Sequence, residues 1–244
     1  MNAQDVLFAC AAAFAAVVVA LRVTQWRDRR TRALTVAIAA LAIYSADWIG
    51  DEYPAPLRVP PTEADLIRYA LVVTACIGIT AHLTRAMGQH RLTRAAHVSL
   101  AIGVVVGIAY AMLRSLHTWH GWGSLLAITV AAIAMATNTA VFAVTIPALR
   151  LRTLTGFERT ALSLLFTSAL ISLLAAAHRL WAQFNPNDAN TVHHGYFHDL
   201  IPASLPTILS VFTYTAFAAI GYWARRKEHA RNGIPTTTAA ESAR

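Results

Sequence analysis

Seven stretches of this 244-residue chain are apolar over 17 to 26 residues each. That length is the strongest constraint on what the chain can fold into. A helix rises about 1.5 Å per residue, so about 20 apolar residues match the ~30 Å hydrocarbon core of a bilayer. The stretches are Val6–Thr24, Ala33–Ile49, Leu66–Leu83, Ala95–Leu113, Ser124–Leu149, Thr160–Trp181 and Pro202–Trp223. Charged residues make up 13% of the chain and hydrophobic ones 57%. A soluble domain carries about 25% charged residues, so this chain has too few to cover a water-facing globule. The short apolar/polar alternation of a membrane β-barrel is absent from the sequence. The expected fold is therefore all-α: a bundle of seven transmembrane helices over residues 1–229, followed by a disordered cytoplasmic tail over 230–244.

The charges set an expected orientation. With the N-terminus outside, the segments 22–32, 84–94, 150–159 and 224–244 face the cytoplasm and hold 16 of the 20 Arg and Lys residues. Eight of the 12 acidic residues fall on the other side. Cytoplasmic loops carry the excess of basic residues in membrane proteins, so the bias fixes both the orientation and an odd number of spans. It also accounts for the net charge of +8 without a nucleic-acid face. Trp26 and Trp223 flank the cytoplasmic ends, and Trp48, Trp119, Trp122 and Trp181 the outer ends, as an aromatic belt would. The first stretch lacks a basic leader and reads as a retained helix that continues past a snorkelling Arg22. Thr62-x-x-Asp65 has the pattern of a capping box opening the third helix. The expected location is the cell membrane, with multiple passes.

Polar groups inside or beside the spans are the candidates for function. Asp47 and Arg68 fall at similar depth in the outer third of the bilayer, where an ion pair would offset the cost of both charges. Asn138 is the most central polar residue, and an Asn at that depth hydrogen-bonds a neighbouring helix or lines a path. His178 closes the sixth span at the outer interface. With Asp47, Arg68, Asn138 and Tyr214 it forms the expected lining of an outward-facing polar cavity. His194 and His198, four apart in HHGYFHD, would share one face of a helix. With His178 they are the candidate ligands for zinc, which takes three or four N, S or O donors. Cys10 and Cys76 lie in apolar runs without metal-binding spacing and read as packed thiols. Gly103-xxx-Gly107 and Ser168-xxx-Ser172-xxx-Ala176 are small-residue stripes that read as seams between helices of the same chain. Pro147 reads as a kink.

Two exclusions follow. The single lysine, Lys227, lies beyond the last span, so a retinal Schiff base on that span is ruled out. The sequence also lacks the Walker A, GxSxG and HExxH patterns.

The arginine-rich first loop running into TRALTVAIAAL, with AAAHRLWA closing the sixth span, resembles an actinobacterial group of seven-helix membrane proteins described as transporters. The resemblance implies a membrane role in transport or sensing. His194 and His198 ahead of the last span, with Ser45 and Asp47 on the second, resemble in part the seven-helix metal hydrolases of the ceramidase and progestin-receptor-like group. The second span here lacks that group's histidine. Three expectations result. The first is a non-enzymatic protein that binds or transports a small solute, ion or signal without a cofactor. The second is a zinc-dependent hydrolase using His178, His194 and His198 with Asp47. The third is an accessory subunit that docks a partner membrane protein. The lipid bilayer is a partner in all three.

Overall fold

A computed structural model describes residues 3–26, 29–47, 61–86, 98, 105, 122–151, 154–184 and 205–231. These residues form six helices: α1 Ala3–Val23, α2 Arg29–Asp47, α3 Pro61–Ala86, α4 Trp122–Leu149, α5 Gly156–Phe184 and α6 Leu205–Arg231. Five contain stretches long and apolar enough to cross a membrane, and α2 adds a shorter apolar stretch, Thr31–Ala46. The expected fourth span, Ala95–Leu113, lies outside the described residues apart from Val98 and Val105, which are helical and exposed. The outer faces of the helices are apolar, with Val17, Ile43, Leu170 and Leu174 all exposed. Side chains of that kind on every wall of a bundle need a hydrocarbon solvent. The fold fits a multi-pass integral membrane protein.

The helices pack as a closed ring. Each of α1 to α6 touches the next, α6 returns to α1, and α2 also touches α6 across the ring. Directions follow from paired contacts. Phe142 meets Phe166, and Asn138 bonds Ser172, so α4 and α5 are antiparallel. Phe8 and Ala11 pack with Ile208 and Val211, while Arg22 reaches Ala218, so α1 and α6 run parallel. α3 and α4 are parallel as well, since Cys76 packs on Ala134 and Thr80 approaches Thr137.

Small residues allow the helices to approach closely. A Cβ on Gly78 of α3 would lie 2.6 Å from the Ala33 carbonyl oxygen and 2.8 Å from the Ala37 Cβ on α2. All six helices contribute to one core, which includes Ala15, Ala37, Ile79, Val141, Ala169 and Ala218. The Ser168 and Ala176 positions of the α5 stripe are buried in the bundle, as an internal seam requires. The Gly103 and Gly107 stripe lies outside the described residues.

At the end of the bundle that carries the α1–α2 turn, Arg22 departs from expectation. It does not snorkel outward. The side chain is 2% exposed and points into the bundle. Its Nε donates to Thr35 Oγ1 at 3.2 Å, and its terminal nitrogens donate to the Ala218 carbonyl at 2.8 Å and the Thr31 carbonyl at 3.4 Å. The planar guanidinium fork can serve three acceptors on two other helices at once, which compensates for leaving the headgroup layer. Trp26 and Trp223 remain exposed at this same end, each under a cation, Arg32 at 5.9 Å and Arg226 at 5.5 Å.

Helix starts also differ in detail. α3 begins at Pro61, so Thr62 lies inside the helix and is not its N-cap. Proline is favoured at the first helical position because its ring presets φ. A reciprocal box instead opens α5: Thr155 N–H donates to Glu158 Oε2 at 2.9 Å, and Glu158 N–H donates to Thr155 Oγ1 at 3.3 Å. α4 runs through Pro147, which sits in its last turn and produces no break.

Two outcomes are expected. Arg22→Ala removes three hydrogen bonds from α1 to α2 and α6 and lowers unfolding free energy in micelles by about 1–3 kcal/mol, with Arg22→Lys recovering only part of it. Gly78→Ala forces α2 and α3 apart against backbone atoms. The cost of overpacking, about 1–3 kcal/mol, exceeds the ~1 kcal/mol that alanine gains in helix propensity, so the midpoint of thermal unfolding falls.

Candidate functional site

A pocket of about 80 Å³ lies between α2, α3, α4, α5 and α6. It occupies the half of the bundle toward the C-terminal end of α2 and the N-terminal end of α6. Its walls are mostly apolar: Leu41, Val72, Ile79, Val130, Ala175 and Val211 among others. Tyr44, Cys76, Thr137, Asn138, Ser172, Thr207, Ser210 and Tyr214 bring the polar atoms. Among the described residues, those that line it carry no formal charge.

The polar atoms converge on Asn138. Its Nδ2 donates to the Ala134 carbonyl at 2.7 Å and to Ser172 Oγ at 3.0 Å. The Tyr214 hydroxyl donates to Asn138 Oδ1 at 2.8 Å. Because the Ala134 carbonyl can only accept, the amide orientation is fixed, and both Nδ2 hydrogens are committed. The trio ties α4, α5 and α6 together inside the apolar bundle. Asn138 and Tyr214 are both buried. A carboxamide at this depth without partners would cost several kcal/mol, so the network stabilises the site as well as shaping it.

Of the residues expected to line a cavity, the structure brings Asn138 and Tyr214 together. Arg68 is half-buried on α3 and is absent from the pocket wall. The side chains of Asp47 and His178 lie outside the described residues, as do His194 and His198 altogether. The backbone does fix the level of the Asp47 position. Gly78 of α3 packs against Ala37 of α2, and Arg68 and Asp47 are each ten residues beyond that contact on antiparallel helices. Both therefore sit about 15 Å from it, toward the same end. Among the described residues, no group of three or more His, Cys, Asp and Glu could hold a metal.

Sequence reasoning missed Tyr44, Cys76, Thr137, Ser172 and Ser210 as pocket residues. A signal was present: Ser172 and Ser210 are small hydroxyls four residues from Ser168 and Tyr214 and so share a helix face with them. The two cysteines also separate. Cys76 is buried and lines the pocket, while Cys10 is exposed on α1 and is not a packed thiol. Among the described residues, the pocket walls are mostly apolar with one hydrogen-bonding cluster. No family model, no curated protein and no solved structure matches the chain.

A double-mutant cycle measures the cluster. Tyr214→Phe and Asn138→Leu, alone and together, are expected to give a coupling of about 0.5–1.5 kcal/mol in reversible micelle unfolding. A coupling near zero would show that the hydroxyl and the amide do not stabilise one another.

Proposed function

We propose that this chain is a seven-span protein of the cell membrane, N-terminus outside, that binds a small solute in the Asn138 pocket for transport or sensing. The observation that carries this reading is a hydrogen-bonding cluster on the wall of an otherwise mostly apolar pocket inside an apolar bundle. Polar side chains at membrane depth are costly and concentrate where solutes or ions are handled.

The parallel run of α3 and α4 supports the seventh span. Two parallel helices joined in sequence need a chain segment that returns from the end of the first to the start of the second. Residues 87–121 make that connection, and the 19 apolar residues Ala95–Leu113 within it are long enough for one crossing. The basic loops and the exposed tryptophans paired with cations support placing the α1–α2 turn in the cytoplasm. The pocket then lies in the outer half of the membrane. The likeness of TRALTVAIAAL and AAAHRLWA to seven-helix transporters points the same way.

Cysteines placed singly in a chain lacking Cys10 and Cys76 test this. In intact cells, an impermeant charged thiol reagent is expected to label a cysteine at Asn190 and to spare one at Ser242. Methyl methanethiosulfonate, which is small and neutral, is expected to modify Thr207→Cys, on the pocket wall, faster than Leu209→Cys, on the exposed apolar face. Labelling at 242 with shielding at 190 overturns the orientation. Equal rates at 207 and 209 overturn access to the pocket.

A further inference from the structure

Granted that the pocket binds a solute, its walls also define the chemistry of that solute. We infer that the ligand is a small uncharged molecule with an apolar body and one hydroxyl or N–H group, which it donates to the Asn138–Tyr214 pair.

Three observations carry this. First, the described lining residues have no formal charge, so an ion entering among Leu41, Val72 and Val211 would lose its hydration without a counter-charge. Second, the walls are mostly apolar, so most of the ligand surface must be apolar to gain from leaving water. Third, the donors of the cluster are largely committed. Asn138 Nδ2 has given its hydrogens to the Ala134 carbonyl and Ser172 Oγ, and the Tyr214 hydroxyl has given its hydrogen to Asn138 Oδ1. A carboxamide oxygen and a phenol oxygen each accept more than one hydrogen bond, so the pair retains acceptor lone pairs. A ligand donor completes the cluster. A ligand that can only accept finds no uncommitted donor on that pair.

Cys76 gives the readout, because its thiol lines the same pocket. In a Cys10→Ala chain in nanodiscs, methyl methanethiosulfonate, a small neutral reagent, modifies Cys76, and bound ligand slows that reaction. Phenol is expected to protect at about tenfold lower concentration than anisole, its acceptor-only ether, the difference a single buried hydrogen bond supplies. Benzoate is expected to give no protection. The Asn138→Leu/Tyr214→Phe double variant, which removes both acceptor oxygens, is expected to narrow the phenol-to-anisole ratio to within about threefold. Equal protection by phenol and anisole in the unaltered pocket overturns the donor requirement, and protection by benzoate overturns the uncharged class. If Cys76 reacts and none of the three protects it, or if it reacts only after denaturation, the binding reading itself falls.

Discussion

Inside an apolar bundle in lipid, a polar side chain has only other helices to bond. Two residues place this constraint at two levels of the structure. Asn138 joins α4, α5 and α6 around the pocket, and Arg22 joins α1, α2 and α6 near the α1–α2 turn. Both ties end on α6, at the Tyr214 hydroxyl and the Ala218 carbonyl, four residues or about one turn apart. α6 thus accepts a hydrogen bond from α1 at one level and donates one to α4 at the other. Other buried hydroxyls, such as Thr145 and Ser168, bond carbonyls of their own helices instead.

Close packing does the rest. Lipid tails are as apolar as leucine, so burial of hydrocarbon gives these helices little reason to associate. Small residues let backbones approach instead, and van der Waals contact and a few directed hydrogen bonds hold them. Gly78 against Ala33 and Ala37 is the tightest case. The pocket sits where such contact lapses, with Tyr44, Asn138 and Tyr214 around a space that the neighbouring alanines do not fill.

The sequence made the class of fold legible through one quantity, the length of its apolar runs. The run lengths gave the helices α1 to α6 with ends shifted by a few residues, since a helix continues wherever caps and local chemistry allow. Thr155 and Glu158 carried α5 four residues before its apolar run. Asn138 and Tyr214 could be singled out because a mid-span amide and an inward phenol need partners. That they partner each other could not be seen, because hydropathy fixes depth along a helix and leaves rotation about its axis open. Arg22 failed for the same reason: a guanidinium near a helix end can reach headgroups or neighbouring carbonyls, and only the position of Ala218 decides between them. Cys76 and Ser172 were invisible as pocket residues because small side chains look alike on a packed seam and beside a void.

The parallel contact of α1 with α6 has a consequence for how the molecule is made. α1 leaves the ribosome well before its neighbour α6, so the ring of described helices stays open until α6 is made. Arg22 enters the bilayer while the carbonyl that will receive it has not been translated. Until α6 arrives, the insertion machinery or the lipid surface must accommodate that guanidinium. The chamber beside Asn138 likewise gains one of its walls only when α6 docks.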